Sequence, residues 1–221
     1  MTSHLHRDME KLEKNLLYVA AQVEEAVRRA MASLFEGHLE LAEKVIEGDI
    51  EIDRREVEVE EDCLKILALH QPVATDLRFI TACLKINNDL ERIGDLACNI
   101  AKRARRLSIE GLGTVPVLFH DMTESVTGML RDAIDAFVKS DLERATSVLG
   151  RDDHVDSLNK RVIHGLMPDL RGDEVHSARA LAYGNVSKHL ERIADHATNI
   201  AEDVVYMVSG DIIRHRGKFE G

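Results

Sequence analysis

The sequence has no tryptophan, and aromatic residues make up only 4% of it. A core built instead on Leu, Ile, Val, Ala and Met suits packed helices better than a sandwich or barrel. Proline is scarce as well: Pro72, Pro116 and Pro168 all sit near places where a helix should start or stop. The three cysteines, Cys63, Cys83 and Cys98, are odd in number and have neither pairing nor metal-type spacing, so reduced thiols in the core of a cytosolic helical protein are expected. No apolar run reaches the roughly 18 residues of a membrane span. The opening stretch MTSHLHRDMEKLEKNL lacks an apolar signal region. These absences point to a cytoplasmic protein with no direct membrane insertion. Excess positive charge is also missing, with 29 basic against 40 acidic residues and a net charge of −11. That balance argues against a nucleic-acid partner, which calls for a basic face, and against recruitment to anionic lipid by net charge.

What the chain does contain is helical periodicity. At 221 residues and 44% hydrophobic, it is long enough for one or two domains with a true core. Leu12, Leu16, Val19, Val23, Val27, Ala30 and Leu34 step by three or four, which predicts an amphipathic helix over about 5–35 ended by Gly37. A second helix is expected over about 38–69, on Leu41, Val45, Ile52, Val59, Cys63 and Ile66, broken at Gln71-Pro72. The third, about 73–107, carries the stripe Ile86, Leu90, Ile93, Ala97, Ile100, Ala104 and Leu107. The stretch from Glu110 to Pro116 reads as a linker. A second trio is expected over about 117–139, 141–166 and 173–208, with Gly210 as the stop and a partly disordered tail. No segment has the period-two alternation of a strand. The fold class is therefore all-α, two tandem three-helix bundles over 1–110 and 116–210, with 211–221 as a tail.

The two bundles are related by a phrase that occurs twice. Leu90-Glu-Arg-Ile-Gly-Asp95, followed by Asn99-Ile-Ala101, returns 100 residues later as Leu190-Glu-Arg-Ile-Ala-Asp195, followed by Asn199-Ile-Ala201. Internal duplication explains such a repeat. Residues four apart share one helix face, so Glu91 and Asp95 form one acidic edge, opposite the apolar stripe. Asp49 and Asp53 form another on the second helix. If these two helices are antiparallel about a turn near 71, Asp49 comes level with the space between Glu91 and Asp95. Asp152 and Asp156 repeat the spacing, and a turn near Gly172 brings them level with Glu191 and Asp195. Four carboxylates at one height repel one another unless a cation or arginine neutralises them. An all-oxygen set suits Mg, Mn, Ca or iron better than zinc, and bridging carboxylates can hold more than one ion. The competing explanation is a solvated acidic face, or acids paired with Arg92 and Arg192. The second half is the leaner one: Asn159 stands where the first has Glu56, and nothing acidic replaces Glu60.

The phrases LERIGDLACNIAKRA and LERIADHATNIAEDVVY, the upstream GDIEID and GRDDHVD, and PVATDLRFITACLKINNDLERIGD resemble the two repeats of the PhoU family. The resemblance runs from about 5 to 210 and implies two three-helix bundles with multinuclear metal clusters, iron in some members, on the surface. Carried over position by position, the ligands it implies are Asp49, Asp53, Glu91, Asp95, Asp152, Asp156, Glu191 and Asp195, with Mn, Mg, Ca or Zn as other candidate ions. It further implies a negative regulator in phosphate sensing, working by contact with the ATPase of a phosphate ABC transporter and a sensor histidine kinase, and forming a homodimer. No enzymatic activity is expected. Di-iron bundle enzymes use Glu-x-x-His pairs that project into the core, and the nearest approach is Asp173-x-x-His176. No HExxH, Walker loop, GxSxG or GxGxxG occurs. A metal-free helical scaffold and, at a further remove, a carboxylate-bridged metalloenzyme are the alternatives. Histidines 70, 154, 164, 189 and 196 read as helix-surface or helix-end residues, with His196, beside Asp195, the one to follow.

Overall fold

Alternating apolar positions at helical spacing give seven helices in the computed structural model, which describes residues 3–111 and 113–213. They are α1 (Ser3–Glu36), α2 (Leu39–His70), α3 (Ala74–Glu110), α4 (Leu118–Lys139), α5 (Leu142–Leu149), α6 (Asp152–Leu166) and α7 (Glu174–Ser209), with a 3-10 turn at Asp169–Arg171 before the last. The described residues contain no strand. The expected tail beyond Ile213 lies outside them.

The stripes predicted for α1 and α3 are buried along their whole length, and those of α2 from Val45 to Ile66. α1 lies on both α2 and α3, while α4, α5 and α6 cover α7. Gly37 turns α1 into α2 at φ 70, a left-handed backbone that a β-carbon would strain. Gln71, also left-handed at φ 45, ends α2, and its N–H caps the Leu67 carbonyl just before Pro72. All three cysteines are buried and free. Burial pushes the Cys63 thiol up to about 12 and Cys98 up to about 11, so neither is a reactive thiolate.

One expectation fails. The helix expected over 141–166 is two helices, broken at Gly150-Arg151. Asp141 caps α5 by accepting from the Arg144 N–H at 3.0 Å. The turn tightens at Gly150-Arg151, with the Arg151 N–H donating to the Val148 carbonyl at 3.0 Å, and the Arg151 side chain reaches back to α4, donating to Asp132 Oδ2 at 2.7 Å and to the Ser125 carbonyl at 3.2 Å. The bonds of Arg151 hold the break. As a result Asp152 opens a new helix, whereas its counterpart Asp49 lies inside the continuous α2.

The two bundles are fused rather than strung together. α3 packs against α7 more extensively than any other pair of elements, and one hydrophobic cluster runs through both halves. Stacked rings add to the join, Phe79 on Phe137 at 5.8 Å and Phe35 on His120 at 4.1 Å. Lys85 meets Asp203, Asp89 meets Asn199, and Arg78 meets the Met207 carbonyl, so α3 and α7 run antiparallel. Continued along the helices, this register sets Gly94 opposite Ala194. Those are equivalent positions of the repeat, and the central pair therefore has an approximate twofold axis between them.

Candidate metal centres: two acidic clusters and the seam between them

Gly94 fixes the height of the first cluster. A methyl group there would stand 3.3 Å from Ile52 Cγ2 and 3.9 Å from Asp49 Oδ1, so α2 approaches α3 closely just where Asp49 faces the Glu91–Asp95 step. Asp53 has its carboxyl raised, first by burial and then by the charges of Asp49 and Asp95. Glu91 is raised by burial and by Asp95, Asp53 and Glu56, against the pull of Arg92. Glu56 joins the same group, raised by burial, Glu60 and Asp53. Outward on α2 the sign reverses: hydrogen bonds from Arg54 and Arg55 hold Glu51 down at about 2. The row turned toward α3 is thus a cluster of mutually repelling carboxylates, distinct from the paired acids on the solvent side.

The second cluster lies between α6 and α7. Burial, Asp156, Asp153 and Glu191 raise Asp152, against a hydrogen bond from Thr198. Burial, Glu191, Asp152 and Asp156 push Asp195 up to about 6. In each half one carboxylate oxygen is sealed from water with no hydrogen-bond donor, Glu91 Oε2 and Glu191 Oε2. Glu91 Oε2 lies 3.2 Å from Arg92 Nε, an ion pair without hydrogen-bond geometry. Lys188 reaches only the other oxygen of Glu191, so Glu191 Oε2 is enclosed with no cation beside it, a costly state for a charged oxygen.

The eight carboxylates expected from the sequence therefore fall into two groups of four, one between α2 and α3 and one between α6 and α7. They are gathered but not closed. Among the described residues, no three His, Cys, Asp or Glu side chains already surround a point that could hold an ion. The clusters also differ in their cations. Arg92 lies 3.3 Å from Asp95 as well as beside Glu91. In the second half Lys188 takes that part, 2.6 Å from Glu191 Oε1, and Arg192 does not reach the acids. Where Glu56 accepts from Asn87 at 3.2 Å, Asn159 accepts from Ser187 at 2.7 Å, so the missing acid is replaced by a satisfied neutral pair.

His196 does not turn to the adjacent cluster. Its Nδ1 lies 2.7 Å from Asp89 Oδ1 on α3, which also accepts from Asn199 Nδ2 at 3.2 Å. Lys85 donates to the buried Asp203 at 3.0 Å. These seam residues were not singled out from the sequence, apart from His196. Their signal is faint: Asp89, Lys85, Asn199 and Asp203 each lie on the flank of an apolar stripe, and each partner is more than a hundred residues away.

This geometry defines a class: internally duplicated helical-bundle proteins with a carboxylate cluster between paired long helices in each half. The PhoU domain model matches twice, over residues 16–104 and 119–204. The chain belongs to the PhoU family. It is 38% identical to the phosphate-specific transport system accessory protein PhoU homolog of Pseudomonas putida over 98% of this chain and 85% of that one. With the homolog from Aquifex aeolicus it shares 39% identity over 96% of each. The crystal structure of PhoU from Pseudomonas aeruginosa, 37% identical, superposes with a TM-score of 0.90 over 93% of this chain and 99% of that one. Among the described residues, no helix is long and apolar enough to cross a membrane.

Proposed function

We propose that this protein is an accessory and regulatory subunit of a phosphate-specific transport system, restraining uptake and phosphate-starvation signalling. The near-full-length likeness to accessory proteins of that system carries the reading. Its work is contact rather than chemistry: it meets the ATPase of the transporter and a sensor histidine kinase at the cytoplasmic side, as a homodimer. Deleting the gene should raise phosphate-starvation gene expression in high phosphate, and unchanged expression would contradict this role.

Ion binding at the acidic clusters belongs to the same reading. The enclosed Glu191 Oε2, without donor or cation, supports it. Asp49, Asp53, Glu91 and Asp95 would hold ions in the first half, and Asp152, Asp156, Glu191 and Asp195 in the second, after side-chain rotations that close each group. A bound hard cation, iron among the candidates, neutralises the repulsion and ties α2 to α3 or α6 to α7. A metal-free bundle is the second reading, favoured by Arg92, which already sits on Glu91 and Asp95. Elemental analysis of protein purified without chelator separates the two. Under the first reading metal content falls in the double variant Asp95→Ala/Asp195→Ala; if it does not change, the site assignment is wrong.

A further inference from the structure

The two bundles leave a cavity of about 370 Å³ where they join, and both halves line it. Phe35 enters from α1, Ala104 from α3, His120 from α4 and Tyr183 from α7, while Gly113 and Thr114 of the connecting peptide close one edge. Small-molecule sites run to roughly 300–1,000 Å³ and favour such junctions. The rim is held from both sides. Ser108 Oγ donates to the Gly37 carbonyl at 2.8 Å. Gly113, at φ 85, lies so close to Arg179 that a β-carbon there would stand 2.7 Å from its Nη1. Arg179 is itself anchored on Asp169 at 2.8 Å.

Three observations describe what fits there. Charged residues make up 31% of the sequence, yet among the described residues no Asp, Glu, Lys or Arg lines the cavity, so an uncharged guest suits it. Aromatic residues make up only 4%, yet Phe35 and Tyr183 both line it, together with the His120 ring stacked on Phe35 at 4.1 Å. The third is the Tyr183 hydroxyl. Tyr183 is only 2% exposed, and a phenol so deeply placed usually finds a hydrogen-bond partner. Its hydroxyl has none among the described residues, but neither is it sealed from water, so it opens on the cavity. The repeat does not account for it, because the equivalent position of the first half is Cys83.

We propose that this cavity binds a small, uncharged nitrogen heteroaromatic of the nucleobase type, packed against the Phe35–His120 pair and hydrogen-bonded to the Tyr183 hydroxyl. The aromatic wall suits a planar ring. A phenol both donates and accepts, and the adjacent N and N–H groups of a nucleobase edge answer both, where a plain hydrocarbon would leave the hydroxyl unpaired. Because the walls come from α1, α3, α4 and α7, a bound ring braces the joint between the bundles. No carboxylate of the acidic clusters lines the cavity. The site therefore stands or falls independently of ion binding there and of the regulatory role proposed above.

The test is a titration of the full-length protein with adenine, an uncharged purine, followed by calorimetry and by NMR of the Tyr183 ring. A single saturable site is expected. Tyr183→Phe removes only an unpartnered oxygen, so it should leave the melting temperature unchanged. It should bind adenine about three- to tenfold more weakly, the worth of one neutral hydrogen bond. Ala104→Leu fills the buried side of the cavity and should abolish binding, and Tyr183→Phe carries the test even if that variant folds poorly. No saturable binding of adenine, or an affinity unchanged in Tyr183→Phe, would overturn the proposal. So would a lowered melting temperature in Tyr183→Phe, which would show the hydroxyl already bonded within the protein.

Discussion

Replacing Asp89 by alanine removes the one acceptor that joins α3 to both His196 and Asn199. The side chains involved are well enclosed, with 11% of Asp89 and 17% of His196 exposed. Losing a hydrogen bond to a charged group costs about 1.5–3 kcal/mol and a neutral one about 1. The shorter bond, at 2.7 Å, belongs to the first kind and the longer, at 3.2 Å, adds less. Together they set an expected loss of about 3 kcal/mol. For a chain of this length each kcal/mol moves the melting temperature by about 2–4 °C, so Asp89→Ala should melt roughly 6–12 °C lower. Asp89→Asn keeps one carbonyl acceptor and should lose about 1 kcal/mol. Thermal and urea unfolding followed by circular dichroism measure both. A double-mutant cycle with His196→Ala should return a coupling of at least about 1 kcal/mol. A melting point within 1 °C of the parent for Asp89→Ala, or strict additivity in the cycle, would refute the seam as an energetic join.

Two further outcomes follow from the titrating groups. The Asp195 carboxyl, raised from 3.8 to about 6, binds its proton more tightly in the folded than in the unfolded chain. Its contribution is therefore fully present below pH 3.8 and is lost as pH rises through about 6, so metal-free protein should be more stable near pH 4.5 than near pH 7 on this account. Because the side chain is largely exposed, solvent screening leaves about 1 kcal/mol of the full shift. Asp195→Asn should flatten that slope in chelator-treated protein, and an unaltered pH profile would contradict it. As for the buried cysteines, native protein should leave all three unreacted with a thiol reagent that labels them promptly in denaturant; rapid labelling of the native form would place a thiol at the surface.

Much of the fold is legible in the sequence, because it rests on local periodicity. Leu12 to Leu34 and Ile86 to Leu107 follow the helical step without interruption, and both stripes are buried as that step requires. The acidic groups were legible because the repeat gave two independent estimates of one height, at Asp49 and at Asp152. The break at Gly150 was not, since the apolar pattern of Ala145, Val148, Val155 and Leu158 runs across it almost in phase. What bends the chain is the reach of Arg151 to Asp132, a contact made in three dimensions. The seam escaped for a similar reason. Lys85 and Asp203 look like ordinary surface charges until α3 and α7 are laid side by side.

The antiparallel register of α3 and α7 has a genealogical consequence. An ancestor carrying a single repeat would have met its own copy along this line, with residue 94 against its twin, and the present chain has the form of such a pair joined end to end. Joining freed the two copies from having to be identical. Asp89 and His189 could then part ways, as could Arg103 and Asp203. It also follows that the peptide between Gly113 and Pro116 is a tether for two partners that already fit. Cut there, the halves should find each other again.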